Sequence, residues 1–182
     1  GCNTNIDLVF AIDASSSVGK VNFERVKGFI RRLVESFHIS RTSTRVAAIV
    51  YSSRPRVAFD FNRYTSARRA AHAVKRLRFL RGGTSTGRAL RLASSRLFRR
   101  YGRKRRKVLM LITDGKSSDD VLKPSKALKR KGVQIFAVGV GMSVSRNELI
   151  LIASHPSQVY QASFTSLSAI VKSLARKTCE SK

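Results

Sequence analysis

Four short runs, almost free of polar residues, most constrain what this chain can fold into: Ile6–Ile12 (IDLVFAI), Arg45–Tyr51 (RVAAIVY), Lys107–Thr113 (KVLMLIT) and Val133–Val140 (VQIFAVGV). A run that does not alternate polar with apolar has no face to offer water. It reads as a strand buried on both sides, the interior of a parallel sheet covered by helices. The stretches between fit that role. Val21 to Phe37 carries Val21, Phe23, Val26, Phe29, Ile30, Leu33, Val34 and Phe37 at helical spacing. Ser66 to Leu77 reads as a basic amphipathic helix, and further helices are expected from about Arg88 to Arg100, over Asp119–Lys131 (interrupted early by Pro124 and ended by Gly132), Arg146–Ser154 and Ser166–Lys177. Arg56–Phe61 alternates after the tight turn Ser52–Pro55 and predicts an antiparallel edge strand, with a last short strand at Gln158–Gln161. The expected fold is therefore α/β and doubly wound: a mostly parallel central sheet of about six strands, one antiparallel edge strand, and helices on both faces. With 182 residues, 42% of them apolar, the chain suits one domain over residues 1–182 with its core from about 6 to 177. No apolar run is long enough to span a bilayer.

The first strand runs directly into Asp13-Ala14-Ser15-Ser16-Ser17. One carboxylate and two hydroxyls at alternate positions are hard oxygen donors, half of an octahedral site suited to Mg²⁺ or Mn²⁺ rather than Zn²⁺. The same residues also read as an Asp helix cap followed by a Ser-rich turn. A second apolar strand ends in Asp114-Gly115. In open α/β sheets ligands bind beyond the carboxyl ends of strands, where the winding reverses, so two neighbouring strands would bring both carboxylates to one crevice. The Gly-rich loop Arg81–Gly87 (RGGTSTG) can bring a further hydroxyl there.

DxSxS after the first strand, GGTxTG before a helix and TDG after a central strand, in that order, resemble the von Willebrand factor type A (vWA) domain, most closely its extracellular members in matrilins and fibril-associated collagens. The match extends over nearly the whole chain. The resemblance implies a metal-ion-dependent adhesion site formed by Asp13, Ser15, Ser17, Thr84 and Asp114, with Mg²⁺ or Mn²⁺ held there and an open position that accepts a carboxylate from a partner. It implies a secreted, matrix-located adhesion module, with collagen as the leading partner, and no enzyme activity.

Other signals are weaker. Gly82–Arg88 is similar to a phosphate loop but lacks the Lys-Ser/Thr pair and follows a helix, and Gly139 and Gly141 lack the third glycine of a dinucleotide fingerprint. His38, His72 and His155 have no useful spacing, and there is no nucleophile elbow or HExxH. Cys2 and Cys179 lie at opposite ends without metal-type spacing. Because termini of compact domains often lie close together, a Cys2–Cys179 disulfide in an oxidising compartment is expected, with two unrelated thiols as the alternative. Gly1-Cys2 reads as a mature or excised start. The net charge of +27, from 37 Lys and Arg against 10 Asp and Glu, favours encounter with polyanions. Arg99–Lys107 (RRYGRKRRK) is the densest run, and Arg99, Arg100, Arg103, Lys104, Arg105, Arg106 and Lys107 are its candidate polyanion-binding residues, at the pole opposite Asp114. A glycosaminoglycan or another acidic polymer is the alternative partner. Nucleic acid is disfavoured, because aromatic residues for base stacking are scarce near that run.

Overall fold

The computed structural model describes residues 4–99 and 105–180. Six strands form one sheet in the order β3-β2-β1-β4-β5-β6. They are β1 (Ile6–Asp13), β2 (Arg45–Tyr51), β3 (Pro55–Phe59), β4 (Arg106–Thr113), β5 (Val133–Val140) and β6 (Val159–Ala162). All neighbours are parallel except β2 and β3, which are antiparallel. Among the described residues the α-helices are α1 (Lys20–Glu35), α2 (Ala67–Lys75), α3 (Thr86–Leu92), α4 (Leu122–Arg130), α5 (Arg146–Ile152) and α6 (Val171–Glu180).

The central strand explains the layering. Along β1 alternate residues enter different cores: Leu8, Phe10 and Ile12 pack with α1, α2 and α6, while Val9 and Ala11 pack with α3 and α4. Both faces are therefore apolar, as the uninterrupted run requires. The chain winds outward from β1 through β2 to β3, then returns to the other side of β1 and winds outward again through β4, β5 and β6. The reversal falls between β1 and β4, and their register sets Ile12 opposite Ile112. Asp13 and Asp114 thus leave the sheet side by side.

Three helices depart from the expected boundaries for local reasons. The helix expected from Arg88 begins at Thr86, because the Asp119 carboxylate accepts the N–H groups of Gly87 (2.7 Å) and Arg88 (2.9 Å) and caps it from another loop. It then changes to π winding over Ala93–Leu97, closed by Phe98 N–H donating to the Ala93 carbonyl. That extra residue turns Phe98 inward against Phe61, with ring centroids 5.9 Å apart. The helix expected from Asp119 begins only at Leu122. Pro124 is accommodated in its first turn, and Asp120 accepts the N–H groups of Leu122 and Lys123. The closing helix opens with a 3₁₀ turn at Leu167–Ile170 and runs to Glu180.

The expected basic patch is also revised. Asp7, buried at the amino-terminal pole of the sheet, binds Arg45 through two contacts (2.7 and 2.6 Å) and Arg105 through one (2.7 Å). Arg45 is held above its ordinary value by the hydrogen bond to Asp7. Arg106 donates to the carbonyls of Thr178 (2.9 Å) and Cys179 (3.1 Å), which anchors the end of α6. Lys107 is buried. Arg105 and Arg106 are committed to holding the fold and Lys107 is buried, whereas a polyanion needs exposed cations. Arg99 is exposed, and Arg100, Arg103 and Lys104 lie outside the described residues, as does Cys2 of the expected disulfide.

One carboxylate neutralising two half-sequestered guanidinium groups is costly to lose. Asp7→Asn is expected to lower the free energy of unfolding by about 3 kcal/mol in urea titrations, without moving the metal affinity. A loss below about 1 kcal/mol, the range of an exposed pair, would refute that role.

Candidate metal centre

Three loops meet beyond the carboxyl ends of β1 and β4. In the first, Asp13 is fixed at both oxygens: Oδ1 accepts the Ser15 N–H (2.9 Å), and Oδ2 accepts the Thr113 hydroxyl (2.8 Å) and the Asp114 N–H (3.3 Å). The Ser15 and Ser17 hydroxyls lie 3.1 Å apart, and Ser17 donates to Asp114 Oδ1 at 3.0 Å. Asp13, Ser15, Ser17 and Asp114 therefore form one connected oxygen cluster. Asp13, Ser15 and Asp114 are buried.

The second loop is laid against the first by backbone contacts. Arg81 N–H donates to the Ala14 carbonyl (2.9 Å), Ser16 N–H to the Gly82 carbonyl (3.0 Å), and Gly82 N–H to the Ser16 hydroxyl (2.8 Å). Arg81 and Gly82 both have positive φ, 64° and 90°. A side chain at position 82 would also come within 3.0 Å of the Ser53 hydroxyl, so glycine is required there for conformation and for space. Thr84 follows directly. Its carbonyl is held from the third loop by the Ser118 N–H (2.9 Å), while its hydroxyl has no hydrogen-bond partner among the described residues. The sequence thus selects Thr84 as a site residue, and the fold brings its loop to the cluster without engaging that hydroxyl.

The third loop carries braces that sequence reasoning missed. Ser117 donates its N–H to Glu148 Oε2 (3.0 Å) and its hydroxyl to Asp119 Oδ1 (2.7 Å). Burial raises the Glu148 carboxyl above its ordinary value. Asp119 in turn caps α3, and a Cβ at Gly87 would lie 1.9 Å from the Asp120 carbonyl, so only glycine lets α3 and this loop approach so closely. Beneath the cluster the buried Tyr51 hydroxyl meets Thr86 at 2.9 Å. Burial, reinforced by the charge of Asp13, holds that phenol well above its usual range. The only sequence signal for Thr113 was its place before Asp114 in TDG. Ser117, Asp119 and Glu148 gave none, because their partners are distant in the chain.

The electrostatics of the cluster suit a cation. Burial first, and the adjacent Asp13 charge second, push the Asp114 carboxyl up to about 6. Among the described residues no Lys or Arg forms an ion pair with Asp13 or Asp114, in a chain with 37 such residues. Among the same residues no group of three or more His, Cys, Asp and Glu side chains assembles a metal site. The cluster offers instead two carboxylates and two hydroxyls, all oxygen, a set that fits a hard divalent ion.

Comparison with known proteins agrees with this geometry. The model of the von Willebrand factor type A domain matches residues 7–173. Vitrin of Homo sapiens is 42% identical over 157 residues, which cover 86% of this chain and 23% of vitrin. The collagen alpha-1(XII) chain of Notophthalmus viridescens is 37% identical over 181 residues, covering 96% of this chain and 19% of the collagen. The chain therefore spans about a fifth of the length of these relatives. Proximal thread matrix protein 1 from the mussel byssus, solved with zinc in its metal-ion-dependent adhesion site motif, superposes with a TM-score of 0.91 at 26% identity, over 98% of this chain and 49% of the mussel protein. The sequence match, the strand order and the three converging loops together place the chain in the von Willebrand factor type A family, among its extracellular-matrix members.

Proposed function

We propose that this domain is a secreted adhesion module of the extracellular matrix that holds a divalent cation, Mg²⁺ or Mn²⁺, at Asp13, Ser15, Ser17, Thr84 and Asp114, and binds matrix proteins through an acidic side chain, with collagen the leading partner. The observation that carries the reading is the pair of buried, adjacent carboxylates left without a counter-charge in a chain of net charge +27. Zinc in the mussel relative shows that a related loop set accepts a divalent ion. We read the role as binding because the donors of the cluster are all hard oxygens suited to holding a cation.

When bound, the cation supplies an electrophilic coordination position for an incoming carboxylate. The chain's own residues do the rest. Thr113 and the Ser15 N–H orient Asp13, Ser17 presents Asp114, and the Ser118–Thr84 contact fixes the height of the second loop. Arg54, Arg81 and Arg88 are exposed on loops and a helix start beside the crevice, where they favour approach of an acidic partner over a basic one. No helix among the described residues is long and apolar enough to cross a membrane.

Asp13→Ala and Thr84→Ala are each expected to weaken Mn²⁺ binding in calorimetry by at least about tenfold and to remove EDTA-sensitive binding to immobilised collagen. The melting temperature of the metal-free protein should stay close to that of the parent. Both variants binding Mn²⁺ like the parent would sink the site; Mn²⁺ bound normally without collagen capture would sink the partner alone.

A pH dependence follows from Asp114. Its folded-state value of about 6 exceeds the ordinary 3.8, so the folded chain holds that proton more tightly than the unfolded one. The resulting stability is fully present below about pH 4 and is lost as the pH rises through about 6. In EDTA, the stability of the parent relative to Asp114→Asn should therefore decline over this interval, and Mg²⁺ should restore it at neutral pH. A difference that does not change with pH contradicts the crowding of the two carboxylates.

A further inference from the structure

We propose that the groove between α1 and α2 is a binding site for a sulfated polysaccharide, distinct from the metal centre and independent of it. The groove has a volume of about 1130 Å³. Six cations line it: Arg31 from α1, Arg63 from the segment before α2, and Arg68, Arg69, Lys75 and Arg76 from α2 and its end. One carboxylate, Glu35, opposes them. None of the six takes part in an ion pair among the described residues. This contrasts with Arg45 and Arg105, which share Asp7, and with Arg106, which is satisfied by backbone carbonyls. The Nε of Arg31 is buried and has no hydrogen-bond partner, a donor at the groove that the fold leaves unsatisfied.

The arrangement selects the ligand class. Arg68, Arg69 and Lys75 of α2, with Arg76 at its C-cap, share one face and form a row about 12 Å long at helical rise. A row of guanidinium and ammonium groups matches a linear polyanion better than a single small anion, and guanidinium forks pair well with sulfate and carboxylate oxygens. Single-stranded nucleic acid would need an open aromatic face. Two rings line the groove: Tyr64 is already occupied, edge-on to Phe59 (5.1 Å) and under Arg63 (4.8 Å), and the single exposed imidazole of His72 offers no succession of stacking faces. An acidic peptide would need a pocket for an apolar anchor. The apolar lining here is only Ala67 and Ala71 beside Tyr64. No residue of the groove belongs to the oxygen cluster, so both sites can be filled together.

The test uses immobilised heparin as the probe across a salt series, with and without EDTA. Arg68→Gln/Arg69→Gln/Lys75→Gln removes three exposed groove charges. Lys123→Gln/Lys126→Gln/Arg130→Gln removes three exposed charges from α4, on the other face of the sheet. The groove triple should weaken heparin binding about tenfold or more at physiological salt and flatten the slope of log Kd against log salt, while the α4 triple changes affinity by less than about threefold. Arg31→Gln alone should weaken binding measurably, and EDTA should change nothing. Equal losses in the two triples would reduce the effect to bulk charge and overturn the proposal. So would loss of binding in EDTA, or tighter binding of poly(U) or polyglutamate than of heparin by the parent. Thermal melts of both triples confirm that folded protein is compared.

Discussion

Two carboxylates are held against each other at the point where the sheet changes its direction of winding, and much of the architecture makes that placement unavoidable. Asp13 ends β1 and Asp114 directly follows β4, two adjacent parallel strands in register. Neither can retreat into solvent, since their strands are buried on both faces. Like charges so placed repel, and the chain meets the cost in part by donating to them: the Thr113 hydroxyl, the Ser15 and Asp114 N–H groups and the Ser17 hydroxyl all point at carboxylate oxygens. What remains is the elevated Asp114 carboxyl. A proton or a cation can relieve it, and near neutral pH protons are scarce.

The convergence of the loops depends on a hierarchy of contacts outside that pair. Gly82 lets the second loop press on the first, and Gly87 lets α3 start against the third. Asp119 ties these together by capping α3 with the same oxygens that take the Ser117 hydroxyl. A side chain added at Gly87 would therefore act on Thr84 through the intervening loop, although it touches no donor of the cluster. This is a positional role, and it explains why glycine and aspartate matter at a distance from the oxygens themselves.

The sheet was legible because continuous apolar runs have few other folded forms, and the first-loop donors were legible because Asp13, Ser15 and Ser17 sit on one turn. Legibility failed wherever the deciding partner came from elsewhere in the chain. The start of α3 depends on Asp119, thirty-odd residues later, and the π turn at Ala93–Leu97 follows from the need to bury Phe98. The basic run was read as a free surface because charge density is visible in a sequence and ion pairing is not. Only the fold reveals that Arg105 answers Asp7, 98 positions away, and that Arg106 holds the end of α6. The basic face of α2 was legible as a basic amphipathic helix, but that Arg31 of α1 faces it across a groove depends on a helix adjacency no local pattern records.

The distribution of acidic residues connects these results. With only 10 Asp and Glu in 182 residues, the way each is used determines where positive charge remains. Asp13 and Asp114 join the oxygen cluster at the end of the sheet, Asp7 holds two arginines, Asp119 and Asp120 cap helices, and Glu148 braces the third loop. Few carboxylates are left to neutralise the outside. Among the described residues the cations of α2 consequently form no ion pair, and the surface field of the domain is set by the structural demand for anions within. Such a field opposes the arrival of a metal ion and favours that of an acidic partner. The metal centre proposed here would therefore owe its attraction for a cation to short-range, buried carboxylates, while the proposed recognition of acidic ligands would draw on charge spread over the whole domain.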